Sequence, residues 1–269
     1  MTLPVIGAAL KVEEIDFFRD WLFEKDRDIE IQSFETPEIL IGEDWRPLVE
    51  AAKEKLAGWN GRLGIHGPYM GLTLASHDPE IRSVVRKRMM RGLEICEELG
   101  ATQMVIHSPY TTWNNFNLDM MEGKRDTLIA EVHDTLDGVV TRAENCGVML
   151  VLENIEDVNP QERKTLAESF DSDMVQLSID TGHAAIAHNA PPVDYFVRSA
   201  GEQLHHIHLQ DVDGYADRHW AVGQGNIPWQ AVFDAIGQLE QKPRLILEMM
   251  RADSIQPSMA YLEAHGLGQ

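Results

Sequence analysis

Gly147-Val148-Met149-Leu150-Val151-Leu152-Glu153 carries the pattern that organises the whole chain. A glycine stands where a helix would end, an unbroken apolar run follows, and an acid closes it. Such a run predicts a parallel strand covered on both faces, and a glycine relieves the left-handed backbone that a helix C-cap often needs. Two other junctions repeat the form: Gly61-Arg62-Leu63-Gly64-Ile65-His66, and Gly100-Ala101 leading to His107. In each, an apolar strand runs from a glycine to a side chain able to bind metal.

Working outward, strands are expected at 5–10, 29–34, 63–66, 103–107, 149–153, 175–180, 205–209 and 244–248. Amphipathic stretches near 13–24, 46–57, 79–99, 123–146, 161–170, 192–201, 228–239 and 256–265 read as the helices between and after them. Strand–helix units of roughly 34 residues predict one (β/α)8 barrel spanning residues 1–269, with no linker dividing it. The length of 269 residues suits a single large domain.

Strands three to eight finish in turn with His66, His107, Glu153, Asp180, His208 and Glu248. Strand C-termini of such a barrel converge on one mouth, where the βα loops build the active site. Gathering that many acids and imidazoles is costly unless something binds them, and a divalent cation does so. His183, in Asp180-Thr181-Gly182-His183, and Asp217-Arg218-His219 in the loop after the seventh strand are further candidates. One such residue alone would more often be a hydrogen-bonded structural group or a helix cap. Six in order are not explained that way.

Aromatic residues lie near the same mouth: Tyr69 after His66, and Tyr110, Trp113 and Phe116 in the long loop 108–119. Tyr69 and Trp113 are candidates to cover a sugar ring; folding the loop onto the barrel is an equal alternative. Gly223-Gln224-Gly225-Asn226-Ile227 reads either as a phosphate nest or as a simple turn, and it lacks a P-loop lysine.

Lys plus Arg number 23 against 44 Asp plus Glu, a net charge of −21. That field disfavours nucleic acid and anionic membranes as partners, though a local metal can reverse the sign inside a pocket. Arg82, Arg86, Lys87, Arg88 and Arg91 fall on an outer helix, where a solvated face paired with acids is expected. Cys96 and Cys146 are expected to be reduced, buried thiols. No apolar run approaches membrane-spanning length, so the expectation is a soluble cytoplasmic protein, open to pairing as a homo-oligomer.

The chain resembles the xylose isomerase-like barrel superfamily, which holds sugar and sugar-phosphate isomerases and epimerases beside endonuclease IV. The matching segments are Ile65-His66-Gly67-Pro68-Tyr69, Val105-Ile106-His107-Ser108-Pro109, Val151-Leu152-Glu153-Asn154 and Ile179-Asp180-Thr181-Gly182-His183. Later come His206-Ile207-His208-Leu209-Gln210-Asp211, Asp217-Arg218-His219 with the 223–227 segment, and Leu245-Ile246-Leu247-Glu248. In the epimerase branch the resemblance implies one metal on Glu153, Asp180, His208 and Glu248, with His183 touching substrate. In the endonuclease IV branch it implies three zinc ions that also recruit His66, His107, His183, Asp217 and His219. Gly214 departs from some epimerases, which place an arginine there, and His66 and His107 crowd space a one-metal epimerase leaves for sugar.

These readings give two expectations for a carbohydrate substrate and a cofactor of one to three divalent ions. Zinc or manganese suits the ligand types best, with magnesium and cobalt also admissible. The first is proton abstraction next to a carbonyl, with Glu153 and Glu248 as base and acid and His183 fixing a substrate oxygen. The runner-up is hydrolysis of a small phosphoester, not DNA, by clustered zinc. Binding without turnover ranks last.

Overall fold

The stretch read first is a strand, β5 (Met149–Glu153), paired in parallel with Gln103–His107 on one side and Val175–Asp180 on the other. The computed structural model describes residues 3–42 and 45–269. Its strands are β1 (Gly7–Leu10), β2 (Ile29–Ile31), β3 (Leu63–His66), β4 (Gln103–His107), β5, β6 (Val175–Asp180), β7 (Leu204–Leu209) and β8 (Arg244–Leu247). Neighbours follow chain order, and β8 pairs with β1 to close a parallel barrel.

The helices are α1 (Ile15–Glu24), α2 (Pro37–Ile41), α3 (Trp45–Lys55), α4 (Pro79–Leu99), α5 (Thr112–Asn117) and α6 (Lys124–Thr135). They continue with α7 (Val139–Cys146), α8 (Pro160–Glu168), α9 (Thr181–Ile186), α10 (Val193–Ala200), α11 (Trp229–Gly237) and α12 (Ile255–Ala264). The longest, α4, begins with Pro79 in its first turn and an Asp78 carboxylate accepting from the Glu80 amide. It ends at Gly100, whose φ of +72° is the expected left-handed cap; Gly147 ends α7 likewise at +68°. Gly61 plays a different part. Helix α3 stops at Lys55, and a Cβ on Gly61 would lie 2.5 Å from the Asp26 carbonyl oxygen, so it serves close packing.

Apolar side chains on the outer strand face, among them Leu10, Ile31, Ile65, Ile106, Leu152 and Leu209, meet Phe18, Val49, Val85, Leu93 and Val232 from the helices. Each fully buried side chain of this size contributes about 1.5–3 kcal/mol. Stability therefore sits between sheet and helices, and the lumen is free to hold polar groups. It does: Glu30, Gln103, Ser178, His206 and Arg244 are all buried.

The expected helix 123–146 is two helices, broken where Gly138 adopts φ +72°. The expected loop 108–119 contains α5, capped by the Thr111 hydroxyl accepting from the Asn114 amide. Between β6 and β7 the register slips, so that Leu177 pairs with Leu204 but Ser178 with His206. The extra residue, His205, is an irregularity of the kind that re-aims side chains; beyond it His206 and His208 are buried. Among the described residues no helix is long and apolar enough to cross a membrane. Cys96 is buried and Cys146 half-buried, both as free thiols.

Candidate metal centre

Side chains alternate between the two faces of a strand, and at the C-terminal rim the six expected residues all turn toward one another. Glu153, Asp180, His208 and Glu248 each bring a ligand atom into a group spanning no more than 4.8 Å. His66, His107 and Glu153 form a second such group, and His183, Asp217 and His219 a third. Glu153 belongs to two of them. Its Oε1 lies 3.1 Å from His208 Nδ1, while Oε2 lies 3.6 Å from His66 Nε2 and 3.7 Å from His107 Nε2. From the far side Glu248 Oε2 approaches His208 Nδ1 at 3.4 Å.

The imidazoles are oriented by the backbone. His66 Nδ1 donates to the Gly67 carbonyl at 2.9 Å, His183 Nδ1 to the Asn154 carbonyl at 2.9 Å, and His219 Nδ1 to the Glu248 carbonyl at 3.0 Å. A carbonyl only accepts, so each Nδ1 keeps its proton and each Nε2 is turned to its ligand group. His183 and His219 thus both present Nε2 to Asp217 Oδ2, at 3.2 Å each.

Metal fits this donor set. Glu153 Oε2 and Asp180 Oδ2 are buried with no hydrogen-bond partner, and a carboxylate oxygen left that way is expensive. A divalent cation at the ligand group each oxygen joins would satisfy it, and mixed imidazole–carboxylate ligation suits zinc or manganese.

Electrostatics point the same way. Burial alone would raise the Glu153 carboxyl, but the His208 ring, 3.1 Å away, and the nearby rings of His183 and His66 hold it well below the usual range. Glu248 goes the other way: burial, with the neighbouring Glu153 charge added, lifts it to about 7 against the pull of His208. Burial opposes protonation of His66 and His219, yet Glu153 and Glu30 hold the first up at about 9, and Asp217 and Glu248 the second at about 9. His107 is pushed down to about 3 by burial and by the rings of His66, His183 and His208.

Of the two aromatic candidates, Tyr69 packs against the site's histidines, while Trp113 is largely exposed. The Tyr69 ring stacks on His107 at 4.3 Å and meets His66 edge-on at 4.8 Å. Trp113 sits on α5 with the Lys124 ammonium 4.8 Å over its ring. Beside Tyr69 and His107 a cavity of about 180 Å³ opens, walled by Leu72, Leu74, Tyr110 and Ile155.

The 223–227 segment is a turn: its Gly223 and Ile227 amides donate to the buried Asp211 carboxylate, leaving no open phosphate nest. Arg82 and Arg86 pair with Asp134, and Arg91 with Glu94, as an acid-paired outer face should.

Gln210, Gln32 and Glu30 were not singled out from the sequence. Gln210 Nε2 donates to Asp180 Oδ1 at 3.1 Å and Asp217 Oδ1 at 2.8 Å, tying two ligand groups together. Gln32 Nε2 donates to Glu248 Oε1 at 2.7 Å. Glu30 reaches His208 from below, with Oε1 3.1 Å from Nε2. For Glu30 the signal existed: an acid between two isoleucines in a short buried strand must face something polar.

A family model described as a xylose isomerase-like TIM barrel matches residues 24–265. The chain belongs to that family. Similar structures cover this xylose isomerase-like barrel almost end to end. The TTHB071 protein of Thermus thermophilus, studied after soaking with ZnCl2, is 25% identical with a TM-score of 0.74, covering 98% of this chain and 99% of its own. A D-tagatose 3-epimerase-like protein is 20% identical, TM-score 0.77, covering 97% and 96%. The Escherichia coli 3-keto-D-glucoside 4-epimerase YcjR is 17% identical, TM-score 0.71, covering 97% and 99%; at such identities the likeness is one of fold. Among curated proteins, the uncharacterised MJ1311 of Methanocaldococcus jannaschii is 25% identical over 183 residues, 65% of this chain and 60% of that protein. MJ1614 of the same organism is 27% identical over 169 residues, 61% of each chain. The chain thus spans about three fifths of the length of these relatives.

Proposed function

We propose that this barrel is a metal-dependent isomerase or epimerase of a small sugar, free or phosphorylated, moving a proton at the carbon next to a carbonyl. One observation carries the reading. Glu153 and Glu248 approach the same His208 nitrogen from different strands, at 3.1 and 3.4 Å, with carboxyls displaced in opposite directions. Two carboxyls whose environments push their proton affinities apart are what a base and an acid at one carbon require. The epimerase names of fold neighbours support the class.

Glu153, Asp180, His208 and Glu248 would hold the cation, which when bound supplies Lewis-acid polarisation of two adjacent substrate oxygens. Glu153, ionised, takes the proton from the reacting carbon. Glu248, whose proton affinity burial raises toward neutrality, returns one to the opposite face, and solvent exchange resets the pair. His183, its Nδ1 held by the Asn154 carbonyl, would share its Nε2 between Asp217 and a substrate oxygen. Tyr69 and the adjoining cavity take the distal part of the sugar.

A second reading, hydrolysis of a small phosphoester, is favoured by one feature: three ligand groups side by side, which invite up to three ions. Heavy-water exchange separates the two. Deuterium entering the carbon next to the carbonyl of a ketose or its phosphate is the expected result. No exchange across a ketose panel, with phosphate released from esters, would overturn the first reading in favour of the second.

A further inference from the structure

We infer that Glu30 is the positioning residue for His208: it accepts the Nε2 proton and so turns the Nδ1 lone pair toward Glu153, Asp180 and Glu248. This rests on the proposal that those four residues hold a cation. Glu30 is 1% exposed in the middle of β2, a costly place for a carboxylate without a task. Its Oε1 and Oε2 lie 3.1 and 3.2 Å from His208 Nε2. From the other side His206 Nε2 stands 3.3 Å from Oε2, while His206 Nδ1 lies 2.8 Å from Gln103 Oε1.

His208 differs from its neighbours in both respects. His66, His183 and His219 are held through Nδ1 by carbonyls and present Nε2. His208 is held through Nε2 by a carboxylate and presents Nδ1. A carboxylate behind the ring makes the facing nitrogen a better ligand than a carbonyl does. That suits the one imidazole in a group whose other members are all carboxyl groups.

Glu30, His206 and His208 also lie close enough together to suggest a cation site of their own. The Arg244 guanidinium argues against it. It is buried in the same lumen, hydrogen-bonded to the Thr102 hydroxyl at 2.6 Å, and its positive charge acts on His206 and Glu30. A second cation there would be repelled, whereas an N–H donor to Glu30 is not.

The test uses the full chain loaded with ¹¹³Cd²⁺ and labelled with ¹⁵N-histidine. Cadmium coupling at Nδ1 of His208, with a slowly exchanging proton on Nε2, is the expected signature. Glu30→Gln should then weaken Zn²⁺ retention at His208 by about 10–100-fold and scramble the ring tautomer. The His183–Asp217–His219 group should be left as it was. Cadmium coupling at Nε2 overturns the inference, and being a wild-type measurement it does not depend on the variant folding. Unchanged affinity and tautomer in Glu30→Gln overturn it equally. Absence of any cadmium signal on His208 in wild-type protein would instead remove the metal reading on which the inference rests.

Discussion

At the scale of single residues the site is a set of buried charges that need each other. Glu153 and Asp180 carry buried oxygens with no partner, and Glu248 is lifted to about 7 by burial and by Glu153. Glu248→Gln keeps the shape and deletes the titrating group. We expect turnover to fall by about 10²–10⁴-fold, the usual share of a general acid or base, with the fold unchanged by circular dichroism. Cation binding must also displace protons, because His66 and His219 are held near 9 and His208 and His183 well above their ordinary value. Calorimetric titration with Zn²⁺ in buffers of differing ionisation enthalpy should show net proton release at pH 7, and apparent affinity should drop as pH falls from 8 to 6. A loading equilibrium indifferent to pH would contradict the ligand assignment.

Elements were legible from the sequence where one strong pattern decided them. β3, β4, β5 and β6 fall at the expected residues, because a short, mainly apolar stretch ending in a ligand leaves little freedom. What was hidden depended on partners distant in sequence. Nothing local marks Gln210 as the tie between Asp180 and Asp217. Nor does the 223–227 segment show that its amides are taken by Asp211, which lies more than ten residues earlier. Helix α5 was hidden because its caps and short length carry a weak periodic signal. Asp211 gives a prediction at this scale. Its carboxylate accepts from the Val212, Gly223 and Ile227 amides and from Trp229 Nε1. Asp211→Ala should cost about 2–4 kcal/mol, since several buried donors lose their acceptor at about 1–3 kcal/mol each with partial relaxation. Chemical denaturation would measure it, and a loss below about 1 kcal/mol would show that water replaces the carboxylate.

Over the whole molecule, the rim sets how stability responds to pH. In metal-stripped protein the raised histidines contribute stability that is complete below about pH 6.5 and lost as pH climbs through their folded values near 9. Glu248, raised to about 7, acts in the same direction, its contribution disappearing as pH rises from its unfolded value toward 7. The depressed carboxyls, Glu153, Glu30 and Asp217, contribute stability that is complete above about pH 4.5 and lost only as pH falls below it, outside this window. The melting temperature of chelator-treated protein should therefore decline from pH 6 to pH 9.5, and saturating Zn²⁺ should flatten the decline. Glu153 adds one more consequence. Because its two oxygens serve different ligand groups, occupancy of one reports to the other, and this linkage is reciprocal by thermodynamic necessity. Asp217→Asn should disturb loading at a single position, whereas Glu153→Gln should unsettle two at once, giving the protein one side chain that acts as a shared hinge for cooperative filling.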